Sequence, residues 1–392
     1  MDNPLYTHGM NLLEIRHDLH AHPQVRFEET YASELIQREL RALGIEFKAG
    51  LAKGTGVLGY LPATSNPEMA TTIALRADID ALPIHEETGK PYASTIPGRM
   101  HACGHDGHTT ILLGVAHALV NTAERPNNVL MVFQPAEEGG AGGDLMVKDG
   151  CLNGTLLGNK ADMMFGLHGW TTVKIGHVAT KVGAMMASTD EFFVEMVGQG
   201  GHAAAPESTR DPIVAIASFI TTVQQISSRN TEAFDNIVVT VGQVHGGTAN
   251  NIIPMSAMVH GTIRTMSAKT RIMAKKRLEQ VAHGVAAAHD VEAKVTINEG
   301  YPVVVNHEDA VARFLAVAQS VLGEDKVSDK AEPTMGGEDF AYYSSECPCC
   351  FYQLGLIPDG VDEIPSVHTP HFDFNDDALE IGVKVMTALA LS

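Results

Sequence analysis

"NNVLMVFQPAEEGGAGG", Asn127 to Gly143, runs from a short unbroken apolar stretch, Val129–Phe133, straight into two adjacent carboxylates and a glycine-rich turn. The same pattern recurs on either side. "TTIALRADIDALP" (Thr71–Pro83) has an apolar run at Thr71–Leu75 followed by Asp78 and Asp80, and "ADMMFGLHGW" (Ala161–Trp170) has Met163–Leu167 followed by His168. Apolar runs of this length without alternation suit strands buried on both faces of a mostly parallel sheet.

Helical patterns separate the runs. "GHTTILLGVAHALVNTAE" (Gly107–Glu124) spaces Ile111, Leu112, Val115, Ala116 and Leu119 as one helical face, and Asp106 is placed to cap its start. The fold class is therefore α/β, a mostly parallel sheet covered by helices, in which ligands gather beyond the carboxyl ends of the strands. Asp80, Glu137, Glu138 and His168 all fall there.

Further along the chain the pattern changes. "STDEFFVEMVG" alternates as a half-buried strand, and "DPIVAIASFITTVQQISSR" reads as a helix capped by Asp211. "NIVVTVGQVHGG", "MSAMVHGTIRT", "AKTRIMAKKRLEQVAHGVAAAHD" and "VEAKVTINEG" continue as strand, strand, helix and strand. This β-α-β-β-α-β order is ferredoxin-like. The expected organisation is a catalytic domain in two pieces, residues 1–186 and 299–392, with an α+β domain inserted at 187–298.

At 392 residues, 44% hydrophobic and 19% charged, the chain has ample core without metal or disulfide staples, so a bound metal would be functional. A net charge of −20 is repelled by nucleic acid and anionic membranes, which favours a small-molecule substrate. The opening "MDNPLYTHGMNLLEIRHDLH" has neither a cationic nor an apolar targeting region, and a cytoplasmic location is expected. Five cysteines, three of them in the "CPCC" of Cys347–Cys350, make a poor disulfide framework and read as reduced, buried thiols.

The chemistry concentrates in "MHACGHDGHTT" (Met100–Thr110). If this segment is extended, His101, Cys103 and His105 share a face. With carboxylates and a histidine from other loops they make good ligands for zinc or a related divalent ion. His20, His22, His85 and His108 read as surface or supporting residues. In an extended segment Glu137 and Glu138 would face opposite ways, so that one binds metal and the other takes the proton of an attacking water. A nucleophilic Cys103 leaves the Glu pair and His168 unused, and a structural zinc clip would need paired C-x-x-C units that are absent.

Taken together, "RHDLHAHPQVRFEET", "LRADIDALPIHEETG", "MHACGHDGHTT", "VFQPAEEGGAGG", "GLHGW", "GQGGHAAAPE", "GGTANNIIP", "MGGEDFAYY" and "VHTPHFDFNDDAL" resemble the aminoacylases, hippurate hydrolases and auxin-amino-acid conjugate hydrolases among the dinuclear metallopeptidases. The resemblance spans nearly the whole chain. It implies two divalent ions per subunit, zinc or manganese with cobalt or nickel as alternatives, held by Cys103, His105, Glu138, His168 and His368. It implies Glu137 as general base and acid, and Asp80 as the carboxylate orienting a ligand histidine. His202, Asn251 and Arg264 would come from the inserted domain to hold the oxyanion and a substrate carboxylate, with His202 reaching across a homodimer. In the carboxypeptidase branch an aspartate bridges the metals; here that role falls to Cys103. Gln24 stands where the group more commonly has Glu. The implied reaction is hydrolysis of N-acyl-L-amino acids. N-acetyl-diaminopimelate-type deacetylation, carboxypeptidase or dipeptidase activity, and a non-catalytic metal-binding module remain alternatives.

Overall fold

The computed structural model describes residues 11–392 throughout, with the backbone of Tyr6–Thr7 and Met10. The opening segment read above as untargeted thus lies partly outside the described residues. The chain divides into two units, one of Met1–Met185, Val305–Glu332 and Asp339–Ser392, the other of Met186–Val304 and Pro333–Glu338.

The first unit is built on an eight-stranded sheet. Its strands are β1 (Glu46–Leu51), β2 (Gly56–Leu61), β3 (Thr72–Asp78), β4 (Asn128–Gln134), β5 (Met163–Lys174), β6 (Val178–Ala179), β7 (Val327–Ser328) and β8 (Cys349–Ile357), arranged β7-β6-β8-β5-β3-β4-β2-β1. β8, β5, β3 and β4 run parallel, while β2 and β1 close one side antiparallel. Every residue of β3, β4 and β8 is buried, which is why these segments carry no alternation.

β4 and β5, which follow β3 in the chain, lie on opposite sides of it. The connections therefore diverge at the carboxyl end of β3 and leave a crevice, the topological position where α/β sheets bind ligands. Asp80 lies just beyond β3 and Glu137 just beyond β4. His168, by contrast, sits within the longer β5 rather than after it, two residues past Gly166, the last to pair with β3.

The helix predicted after "MHACG" is His105–Val120, and it packs against the Leu12–Ala21 and Asp377–Leu391 helices. Asp106 does not cap it. Gly104, at φ +87°, occupies the cap position, and Asp106 lies in the first turn, bonded to Arg16 and His20. The adjacent Gly107 is fixed by packing, since a Cβ there would come within 2.7 Å of the Phe374 ring.

In the second unit the four-stranded sheet places Ile237–Gly246, Ser256–Thr265, Ser188–Val197 and Glu292–Glu299 side by side in that order, all antiparallel. With helices Pro212–Val223 and Ala268–Ala288 this is the ferredoxin-like arrangement. Asp211 caps the first helix, its carboxylate accepting the Ile213 and Val214 N–H groups. A separate core of Phe192, Val194, Phe219, Val259 and Leu278 fills this unit. Among the described residues no helix is long and apolar enough to cross a membrane.

Candidate metal centre and active site

The segment before the His105 helix is a turn, not an extended strand, so His101, Cys103 and His105 do not share a face by alternation. The left-handed Gly104 and the first helical turn bring Cys103 and His105 together instead, and His101 points away toward His20. Ligand atoms of Cys103, His105 and His168 lie within 4.8 Å of one another. So do those of Cys103, Glu138 and His368, and those of His105, Glu137 and Glu138.

Glu137 and Glu138 likewise occupy a turn. They do not face opposite ways, because the turn begins at Ala136 with φ +54° and swings both carboxylates toward His105. His368 adopts φ +63° and donates its backbone N–H to the Ala102 carbonyl at 2.8 Å, which holds its loop over the cluster. Its Nε2 lies 3.0 Å from Glu138 Oε1.

His168 and His105 each have one ring nitrogen committed to the scaffold. His168 Nδ1 donates to the Gly169 carbonyl at 2.8 Å, leaving Nε2 facing Cys103 Sγ at 3.3 Å. Burial, with the neighbouring His108, pushes its pKa down to about 3, so the ring is neutral and its Nε2 lone pair is available. His105 Nδ1 meets Asp80 Oδ1 at 3.1 Å. His105 Nε2 is buried, with no hydrogen-bond partner among the described residues. Burial opposes charge on this ring, yet Asp78 and the hydrogen bond to Asp80 raise its pKa to about 10.

The donor set fits a cation. Burial, then Glu138, Glu137 and Asp78, push the Cys103 thiol well above its usual range. A divalent ion among these groups would relieve that crowding and accept the orphaned His105 Nε2.

Behind the cluster lies a buried polar layer that the sequence reading did not anticipate. Arg76, at the end of β3, donates to Asp78 at 2.7 Å, to Gln134 at 2.9 Å and to Asp339 at 3.0 Å. Asp78 in turn takes His108 Nδ1 at 2.6 Å, and His108 Nε2 accepts the Gly169 N–H at 2.9 Å. His108 is thus a fully enclosed bridge from β3 to the backbone beside His168. His20 is also fully enclosed, bonded to Asp106 and Glu86. The available signal was charge inside an apolar run: Arg76 and Asp78 interrupt a strand that otherwise has no reason to contain them.

Gln24 acquires a role as well, its side chain accepting the Tyr31 N–H and donating to Thr30 Oγ1 at the start of the Thr30–Ala42 helix.

The second unit carries His202, Asn251 and Arg264. His202 is exposed on a short strand paired with Ile252–Ile253, and its Nδ1 accepts the Ala204 N–H at 3.0 Å, so Nε2 is left as the donor. Asn251 lies alongside, its carbonyl accepting the Ala203 N–H. Arg264, half-buried, sits between Thr189 and Val238 on neighbouring strands.

Residues 74–392 match the family described as Peptidase family M20/M25/M40. The chain belongs to this family. It is 37% identical to the IAA-amino acid hydrolase ILR1-like 2 of Arabidopsis thaliana, over 97% of this chain and 84% of that one. It is 40% identical to the N-acetyldiaminopimelate deacetylase of Streptococcus pneumoniae (strain 70585), over 97% and 98%. The crystal structure of the YXEP protein of Bacillus subtilis, described as a dinuclear metal-binding peptidase of the M20 family, superimposes with a TM-score of 0.82 at 32% identity, over 97% of this chain and 96% of that one. This M20 chain is a mixed α/β hydrolase of amide bonds.

Proposed function

We propose that the protein hydrolyses N-acyl-L-amino acids to a carboxylate and a free amino acid. The observation that carries this reading is the convergence of Cys103, His105, Glu138 and His368, with His168 beside Cys103 and Glu137 beside His105, at the switch-point crevice. The five donors would hold two divalent ions, zinc or manganese, with cobalt or nickel as alternatives. Bound there, such ions polarise an amide oxygen and lower the pKa of a water.

Glu137 is nearly enclosed and lies close to His105 and Glu138. In this reading it takes the proton of the attacking water and returns it to the departing amine. Asp80 keeps His105 oriented with its Nε2 toward the cluster. His202, presented with a free Nε2–H, is assigned to the oxyanion from a second copy of the chain. Asn251 and Arg264 are assigned to the substrate carboxylate, for which a guanidinium is a bidentate partner. The inserted unit would serve as lid and dimerisation domain, and five free buried cysteines are in keeping with a cytoplasmic protein.

The test is a panel of N-acetyl, N-benzoyl and indole-acetyl amino acids with their carboxamide analogues, assayed with metal-loaded protein. Amine release from the acids at rates well above the carboxamides is expected. Equal rates, or none, would refute carboxylate recognition. The 40% identity to an N-acetyldiaminopimelate deacetylase places N-acetylated diamino acids in the same panel, and a strong preference for them would move the reading to that reaction.

A further inference from the structure

We infer that Glu29 is the positioning residue for the general base, its carboxylate holding in place the left-handed turn from which Glu137 projects. The inference rests on Glu137 being the base. Ala136 immediately precedes it at φ +54°, a conformation that residues with a Cβ rarely adopt unless their surroundings impose it. The Ala136 N–H donates to Glu29 Oε1 at 2.9 Å, and the other carboxylate oxygen takes Thr55 Oγ1 at 2.8 Å. Both Glu29 and Ala136 are fully enclosed, so water cannot replace this acceptor.

The neighbours of Glu29 brace the same turn. Arg26 Nη1 donates to the Glu138 carbonyl at 3.2 Å, and the Phe27 ring packs against Gly140 closely enough that a Cβ there would lie 3.1 Å from it. The Ala136 carbonyl accepts the Gly140 and Gly142 N–H groups, so the peptide on that side is also committed. Within "QVRFEET", then, Glu29 supplies a buried acceptor at a point where the backbone is unfavourable for a residue with a Cβ. Without it the Ala136 peptide can relax toward negative φ and carry Glu137 off its line to His105 and Glu138. Glu29 touches neither ligand atoms nor substrate in this arrangement, so its effect falls on kcat rather than on KM or metal content.

The experiment compares Glu29→Ala, Glu29→Gln and the double variant Glu29→Ala/Ala136→Gly, with Glu137→Gln as reference. Glu29→Ala should lower kcat by ~10- to 100-fold, the scale of a misplacement of about 1 Å, with KM and bound metal near wild type. Glu29→Gln keeps an oxygen for the Ala136 N–H and should stay within about threefold of wild type. Glycine adopts positive φ freely, so Ala136→Gly should restore at least about fivefold of the activity lost in Glu29→Ala. Hydrogen exchange at the Ala136 amide in metal-free protein should accelerate in Glu29→Ala and not in Glu29→Gln. An unchanged kcat in Glu29→Ala, a double variant no better than the single one, or unaltered exchange overturns the inference. Should Glu29→Ala not fold, a tenfold loss in Glu29→Gln overturns it instead. If Glu137→Gln itself turns over normally, it is the base assignment that has failed.

Discussion

His105 and Glu138 are held by one carboxylate: Asp80 Oδ1 meets His105 Nδ1 at 3.1 Å while Asp80 Oδ2 accepts the Glu138 backbone N–H at 2.9 Å. A single side chain thereby sets the distance between two proposed ligands, one at the start of a helix and one in a turn. Asp80→Ala should weaken metal binding by ~10- to 100-fold, the usual effect of removing a group that orients a ligand. Competition with a chelator gives the affinity directly, and an unaltered constant would exclude the orienting role.

Replacing ligand and base should have separable effects. Glu137→Gln is expected to retain metal but lose ~10²-fold or more in turnover, whereas Cys103→Ala should lose metal first. Elemental analysis after dialysis distinguishes them. Full metal occupancy and full activity in Cys103→Ala would remove it from the ligand set.

The assignment of His202 to a second copy is tested by refolding a mixture of two nearly inactive variants, Glu137→Gln and His202→Ala. Random pairing gives heterodimers with one site holding both residues and one holding neither, so activity should return to about a quarter of wild type. A mixture no more active than its components would mean that His202 acts within its own chain.

Glu29 makes stability depend on pH. Burial, reinforced by the Asp80 charge, raises its carboxyl to about 7 from the ordinary 4.5 of a glutamate in water. Between those values the folded state holds a proton that the unfolded state has released, so its contribution to stability falls as pH rises, by up to about 3 kcal/mol. Glu29→Gln cannot release that proton. Relative to wild type it should gain stability from pH 5 to pH 8, read by denaturant midpoints in metal-free protein. Parallel wild-type and variant curves would show that the buried carboxyl carries no such shift.

The elements were legible where a local pattern determines them. Apolar runs identified β3, β4 and β5, and the spacing from Ile111 to Leu119 identified the His105 helix. The cluster residues stood out by type and by place after a strand. Their geometry did not, because it depends on positive φ at Gly104, Ala136 and His368, two of which have a Cβ that ordinarily disfavours it. The supporting charges were hidden for a different reason. Arg16 meets Asp106 at a separation of 90 residues and Asp376 at 360, and Arg76 meets Asp339 at 263, pairings with no periodic trace.

Arg16 also bears on how the chain becomes an enzyme. Its guanidinium is fully enclosed and divided among Asp106, Asp373 and Asp376. A nascent chain that has emerged only as far as the His105 helix has one of these three carboxylates, and it also lacks His368. Burying the arginine at that stage leaves charge without its full set of partners, a state that costs several kcal/mol. Docking of the Leu12–Ala21 helix onto the His105 helix is therefore coupled to arrival of the C-terminal segment. If His368 is a ligand as proposed, the donor set is complete only once that last segment has folded into place.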